Sequence, residues 1–139
     1  MTVQAKDLLG AWRLESWSLV YDDGRPKEFP LGRDAEGLIL YTPGGQVSAT
    51  LMHGGRAAKA PESDVERATA FTEAFAYAGR YEVRDATVFH SIEVATNAAL
   101  IGVTSTRHIN LDGDRLTLSG PDFAAGTGRT QKIVWRRAI

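Results

Sequence analysis

Cysteine is absent from the 139 residues, which removes disulfides, thiol nucleophiles and thiolate metal sites at once. Histidine is scarce: His53, His90 and His108 stand far apart, without the close pairing of metal ligands, so no metal is expected. No run approaches the ~18 apolar residues that span a bilayer, and the opening segment MTVQAKDLLG has no basic stretch followed by an apolar one. The expectation is a cytoplasmic protein with no membrane partner. An excess of either charge is missing as well. Sixteen Lys and Arg against seventeen Asp and Glu leave a net charge of -1, and the cations are scattered, so nucleic acid is not an expected partner. Gly-x-Ser-x-Gly, phosphate-loop and dinucleotide fingerprints are missing too, and no cofactor is expected.

What the chain does contain is average for a globular protein, 43% hydrophobic and 24% charged, which disfavours disorder and suits one domain over residues 1–139. Short segments rich in Val, Ile, Thr and aromatics alternate with Gly, Asp and Pro, the rhythm of an antiparallel meander. They predict strands over 11–21, 37–41, 46–53, 79–84, 87–95, 103–111, 115–119 and 130–137, with a short ninth near Phe29. Asp22-Asp23-Gly24 and Asp112-Gly113-Asp114 supply turn residues that accept a positive φ. Between Pro61 and Ala78 the period lengthens: Val65, Ala68, Phe71, Phe75 and Ala78 recur every three to four residues, as on one face of a helix. Ser63 with Glu66 forms a capping-box pattern at its start. Counting the strand near Phe29, this one helix falls between the fourth and fifth main strands. Eight or nine antiparallel strands can close into a barrel holding one small ligand, and a two-sheet sandwich is the competing arrangement.

The stretches LLGAWRLESW, PLGRDAEGLILYTPGGQVSATLM, AYAGRYEV, VFHSIEV, LDGDRLTLSGP and IVWRR, in this order, resemble the bacterial and fungal lipocalin-like domain family over nearly the whole chain. The resemblance implies an all-β fold with one helix, a closed antiparallel lipocalin-like β-barrel. Gly10-Ala11-Trp12 is similar to the Gly-x-Trp opening of lipocalins, in which the Trp closes the barrel base beneath a late Arg, here Arg136 or Arg137. Two places depart from the family: Thr96-Asn97-Ala98-Ala99-Leu100 replaces a Pro-Asn-Trp-like segment, and Ser105 stands where a Gln precedes the inward Arg. If those groups touch ligand in relatives, this chain takes a different guest.

Alternation along the strands places polar groups on apolar faces. His90 shares a face with Val88, Ile92 and Val94, Tyr81 with Val83, and Arg107 with Val103, Ile109 and Leu111. An inward Arg needs an acceptor, which Glu93, Asp122, a Tyr hydroxyl or an oxygen of a ligand would supply. Tyr41, Ser48, Tyr81, His90, Ser105 and Arg107 are the candidate ligand-binding residues. For His90 a neutral core imidazole bonded to a Tyr stands beside the functional reading, and for Arg107 an internal brace. Trp17, Leu19 and Phe89 are read as outward, which would suit a homodimer.

Two functions follow. In the first, the barrel binds a small, largely apolar, oxygenated molecule. In the second it is a cofactor-independent isomerase, cyclase or dehydratase of secondary metabolism, with His90 as general acid or base and Arg107 or a Tyr stabilising an enolate-like oxygen. Lipocalin-like proteins include cyclases and isomerases, so the resemblance leaves both open. A barrel filled by its own side chains is a third reading.

Overall fold

A computed structural model describes residues 2–56, 59–121 and 128–138. Strands β1 (Gly10–Tyr21), β2 (Glu36–Tyr41), β3 (Gln46–Met52), β4 (Ala74–Arg84), β5 (Thr87–Ala95), β6 (Thr104–Asp112), β7 (Arg115–Pro121) and β8 (Arg129–Arg137) follow one another around a closed antiparallel barrel. Closure comes from β1, which pairs with β2 at its start and with β8 along most of its length, leaving no free sheet edge. Helix α1 (Asp64–Thr72) lies between β3 and β4. Near Phe29 there is no ninth strand; Glu28 makes a single bridge to Leu19.

The two ends of the barrel differ. At the end where β1 begins and β8 ends, Trp12 is fully buried and its indole N–H donates to the Leu8 carbonyl at 2.9 Å. Arg137, rather than Arg136, covers it: the guanidinium carbon sits 4.1 Å from the Trp12 ring and its nitrogens donate to the Leu9 and Asp7 carbonyls. Arg136 turns outward to Glu15. Leu8, Trp12, Val47, Val88, Ile109 and Leu116 pack this base solid. The opposite end carries α1 and the short 3-10 turn Ala98–Leu100.

Two bulges decide which residues face inward. In β1 the pairing with β8 slips between Leu14 and Ser16, so inward positions pass from Trp12 and Leu14 to Trp17 and Leu19. Trp17 therefore faces the interior and Leu19 is buried, against the expectation that both point outward. Phe89 does lie outside, where Arg84 stacks on its ring at 4.5 Å. Two of the three residues that suggested a homodimer are thus internal, and the third is covered. The second bulge, between Ala78 and Gly79, skips Glu93 of β5 and leaves Val94 opposite Ala78 on the outer face, 61% exposed. A Cβ at Gly79 would sit 1.9 Å from the Ser91 carbonyl oxygen, so only glycine fits there.

The helix is shorter than its periodicity suggests. It ends at Thr72, and Phe75 and Ala78 belong to β4, which begins five residues earlier than expected. Ser63 caps it by accepting from the Glu66 N–H at 3.1 Å, while the Glu66 carboxylate takes the Glu62 N–H. None of its residues is buried, and Phe71 is 59% exposed, so α1 lies against the barrel rim without plugging it.

The β4–β5 hairpin turns on Asp85 and Ala86, with φ of +50° and +60°. A left-handed alanine costs about 1 kcal/mol that glycine avoids. Ala86→Gly should therefore raise the urea-unfolding free energy by roughly 0.5–1 kcal/mol; an unchanged or lowered midpoint would show that the turn is not held in this conformation.

Candidate functional site

Above the packed base the barrel is hollow. A cavity of about 510 Å³ opens at the α1 end and is walled by residues of every strand. Its sides are mostly apolar, with Ile39, Leu51, Phe75, Ile92, Leu118 and Ile133 prominent, and Phe71, Thr72, Thr96, Asn97, Leu100 and Val103 surround the mouth. Trp17 stands in the wall, its ring edge-on to Phe75 at 5.5 Å and its N–H donating to the Gln131 side-chain oxygen at 3.1 Å. Trp135 also lines the space, and its indole N–H has no acceptor among the described residues.

Polar groups gather at the floor. His90, on β5, is 1% exposed and is held between two tyrosines: its Nε2 lies 2.8 Å from the Tyr41 hydroxyl and its Nδ1 2.8 Å from the Tyr77 hydroxyl. Burial, and secondarily the charge of Arg107, push the His90 pKa down to about 3, so the ring is neutral under ordinary conditions. Burial raises the Tyr41 pKa well above its usual value and that of Tyr77 to about 12, so both keep their protons.

A neutral imidazole has one N–H and one bare nitrogen, which allows two arrangements. Tyr41 sits in the sealed base at 2% exposure, and among the described residues His90 is its hydroxyl's only partner. Were Nε2 to carry the hydrogen, the Tyr41 proton would be buried without an acceptor, at a cost of about 1–3 kcal/mol. With the hydrogen on Nδ1, Tyr41 donates to Nε2 and Nδ1–H donates to the Tyr77 oxygen. The Tyr41 and His90 donors are then both satisfied. The one spare proton lies on Tyr77, which lines the cavity.

Of the candidate residues, His90, Ser105 and Arg107 do line the cavity, and Ser105 is paired across the sheet with His90. Arg107 runs along β7 over Gly120, where a Cβ would stand 3.2 Å from its Cδ, and its Nη1 donates to the Thr106 carbonyl at 2.9 Å. Of the acceptors considered for it, Glu93 is exposed on the outer side of the β5 bulge, and Asp122 lies outside the described residues. Tyr41 points inward but below the cavity. Tyr81 is tied to the barrel end, its hydroxyl donating to the Thr42 carbonyl at 3.0 Å and its ring edge-on to Tyr41 at 4.8 Å, so it does not reach the guest space. Ser48 is a correction. Tyr41 pairs with Val47, and Ser48 pairs with Leu40 on the outer face, where both are exposed. Missed by sequence reasoning were Trp17, Tyr77 and Gln131.

A family model, described as a lipocalin-like domain, matches residues 9–138. The chain belongs to the lipocalin-like domain family. Among solved structures, a lipocalin-like protein from Bacteroides uniformis ATCC 8492 is 18% identical and superposes with a TM-score of 0.51, covering 95% of this chain and 99% of that one. At that identity the likeness is one of fold. No curated protein matches. Among the described residues of this lipocalin-like barrel, no helix is long and apolar enough to cross a membrane.

The neutral, buried His90 makes stability depend on pH. Unfolded, the ring titrates near 6.5 and takes up a proton that the folded state refuses until about pH 3. Its contribution is complete above pH 6.5 and is lost as the pH falls toward 3, by up to about 5 kcal/mol. Urea melts should lose stability on acidification over this window more steeply in wild type than in His90→Gln, which does not titrate; equal slopes would mean that His90 is not held neutral.

Proposed function

We propose that this barrel encloses a small, largely apolar molecule and holds its oxygenated end at the cavity floor beside Tyr77, His90, Ser105 and Arg107. The observation that carries this reading is the partition of the interior: a solid base, a hollow of about 510 Å³ with mainly apolar sides, and the His90–Tyr77 pair at its floor. A largely apolar wall with a few convergent polar groups is the common form of a small-molecule site, and a space of this volume suits a guest of about fifteen to thirty heavy atoms. Both ring nitrogens of His90 are engaged by tyrosine hydroxyls, so any proton exchange between His90 and a guest would pass through Tyr77. The binding reading asks for no such exchange.

N-phenyl-1-naphthylamine, an uncharged apolar dye, should bind at one molecule per chain with a large rise in fluorescence. Ser105→Phe places a ring in the hollow and should weaken it about tenfold or more while leaving the far-ultraviolet circular dichroism of the barrel intact. No binding, or binding indifferent to Ser105→Phe, would contradict an internal site. Native mass spectrometry of protein purified from its own host should show a retained small molecule.

A further inference from the structure

The proton accounting of the tyrosine–histidine–tyrosine chain sets the chemistry of the guest's polar end. We infer that the Tyr77 hydroxyl is a hydrogen-bond donor aimed at the guest, and that the guest presents a carbonyl-type acceptor oxygen there, as in a ketone, ester or carboxylate. This rests on the reading of the cavity as a binding site and deepens it.

Three observations converge. Tyr77 lines the cavity, whereas Tyr41, on the other side of the same imidazole, lies in the sealed base. His90 Nδ1 is 2.8 Å from the Tyr77 oxygen, and the arrangement that satisfies Tyr41 places its hydrogen there, so Tyr77 already accepts and its own proton must go elsewhere. A hydroxyl whose oxygen receives a hydrogen bond is polarised into a better donor. Arg107, in the same wall, adds a positive charge felt by Tyr77, which favours partial or full negative charge on the incoming oxygen. Burial keeps Tyr77 protonated, so the donor persists at any physiological pH. A hydrocarbon in this position would leave the Tyr77 proton buried and unpaired, and discrimination by a site built to donate one hydrogen bond follows from that loss.

Matched naphthalenes test the inference, since they share an apolar body that fits the hollow. By calorimetry, 2-acetylnaphthalene should bind the wild-type protein about five- to tenfold tighter than 2-ethylnaphthalene. Tyr77→Phe should erase that preference by weakening the ketone and leaving the hydrocarbon unmoved. Sodium 2-naphthoate separates a carboxylate guest from a neutral carbonyl, and a preference for either that vanishes in Tyr77→Phe supports the donor. On wild-type protein, without substitution, the infrared carbonyl stretch of bound 2-acetylnaphthalene should fall below its value in cyclohexane; an unshifted stretch would overturn the inference. If neither ketone nor carboxylate binds tighter than the hydrocarbon, or if the preference survives in Tyr77→Phe, the donor is wrong and the cavity reading stands. If none of the three probes binds, both fall.

Discussion

One neutral imidazole, gripped by tyrosine hydroxyls from two other strands, organises the interior of this barrel. His90 on β5 reaches Tyr41 on β2 and Tyr77 on β4, so three strands are tied through a single buried ring. Such a group is tolerated only because both nitrogens are satisfied and the charge is refused. It marks the level at which the barrel changes character. Below it Trp12 and Arg137 close a solid apolar base, and above it the strands enclose open space.

The hollow exists because the wall above His90 is built from residues that do not meet across the axis. Two bulges contribute, one turning Trp17 inward to pack on Phe75 and the other ending the inward run of β5 at Ile92. Glycine contributes too. Gly120 leaves a lane for the Arg107 side chain, so a cation runs along the wall without obstructing the centre. The helix stays at the rim and buries no residue of its own, which leaves the mouth framed by Phe71 and the Ala98–Leu100 turn.

Much of this was legible in the residues. Strand alternation placed His90 and Arg107 on inward faces, the family resemblance pointed to Ser105, and the turn residues set the strand order that the closed barrel adopts. What escaped has local causes. Apolar spacing of three to four ran on through Phe75 and Ala78 because the first half of β4 carries apolar residues on both faces, so Tyr77 was assigned to a helix and its role was hidden. The Glu15 bulge reversed the face of Trp17, which no single-sequence period reveals. Ser48 was assigned to the wrong face although Val47, Ala49 and Leu51 alternate with it and mark the inward side of β3.

All of this depends on a His90 that is neutral and carries its hydrogen on Nδ1. Long-range nitrogen-15 NMR of the imidazole reads this directly. The prediction is a protonated Nδ1 and a bare Nε2, with no titration of the ring between about pH 8 and pH 5. A hydrogen on Nε2, or a midpoint near 6.5, would contradict it.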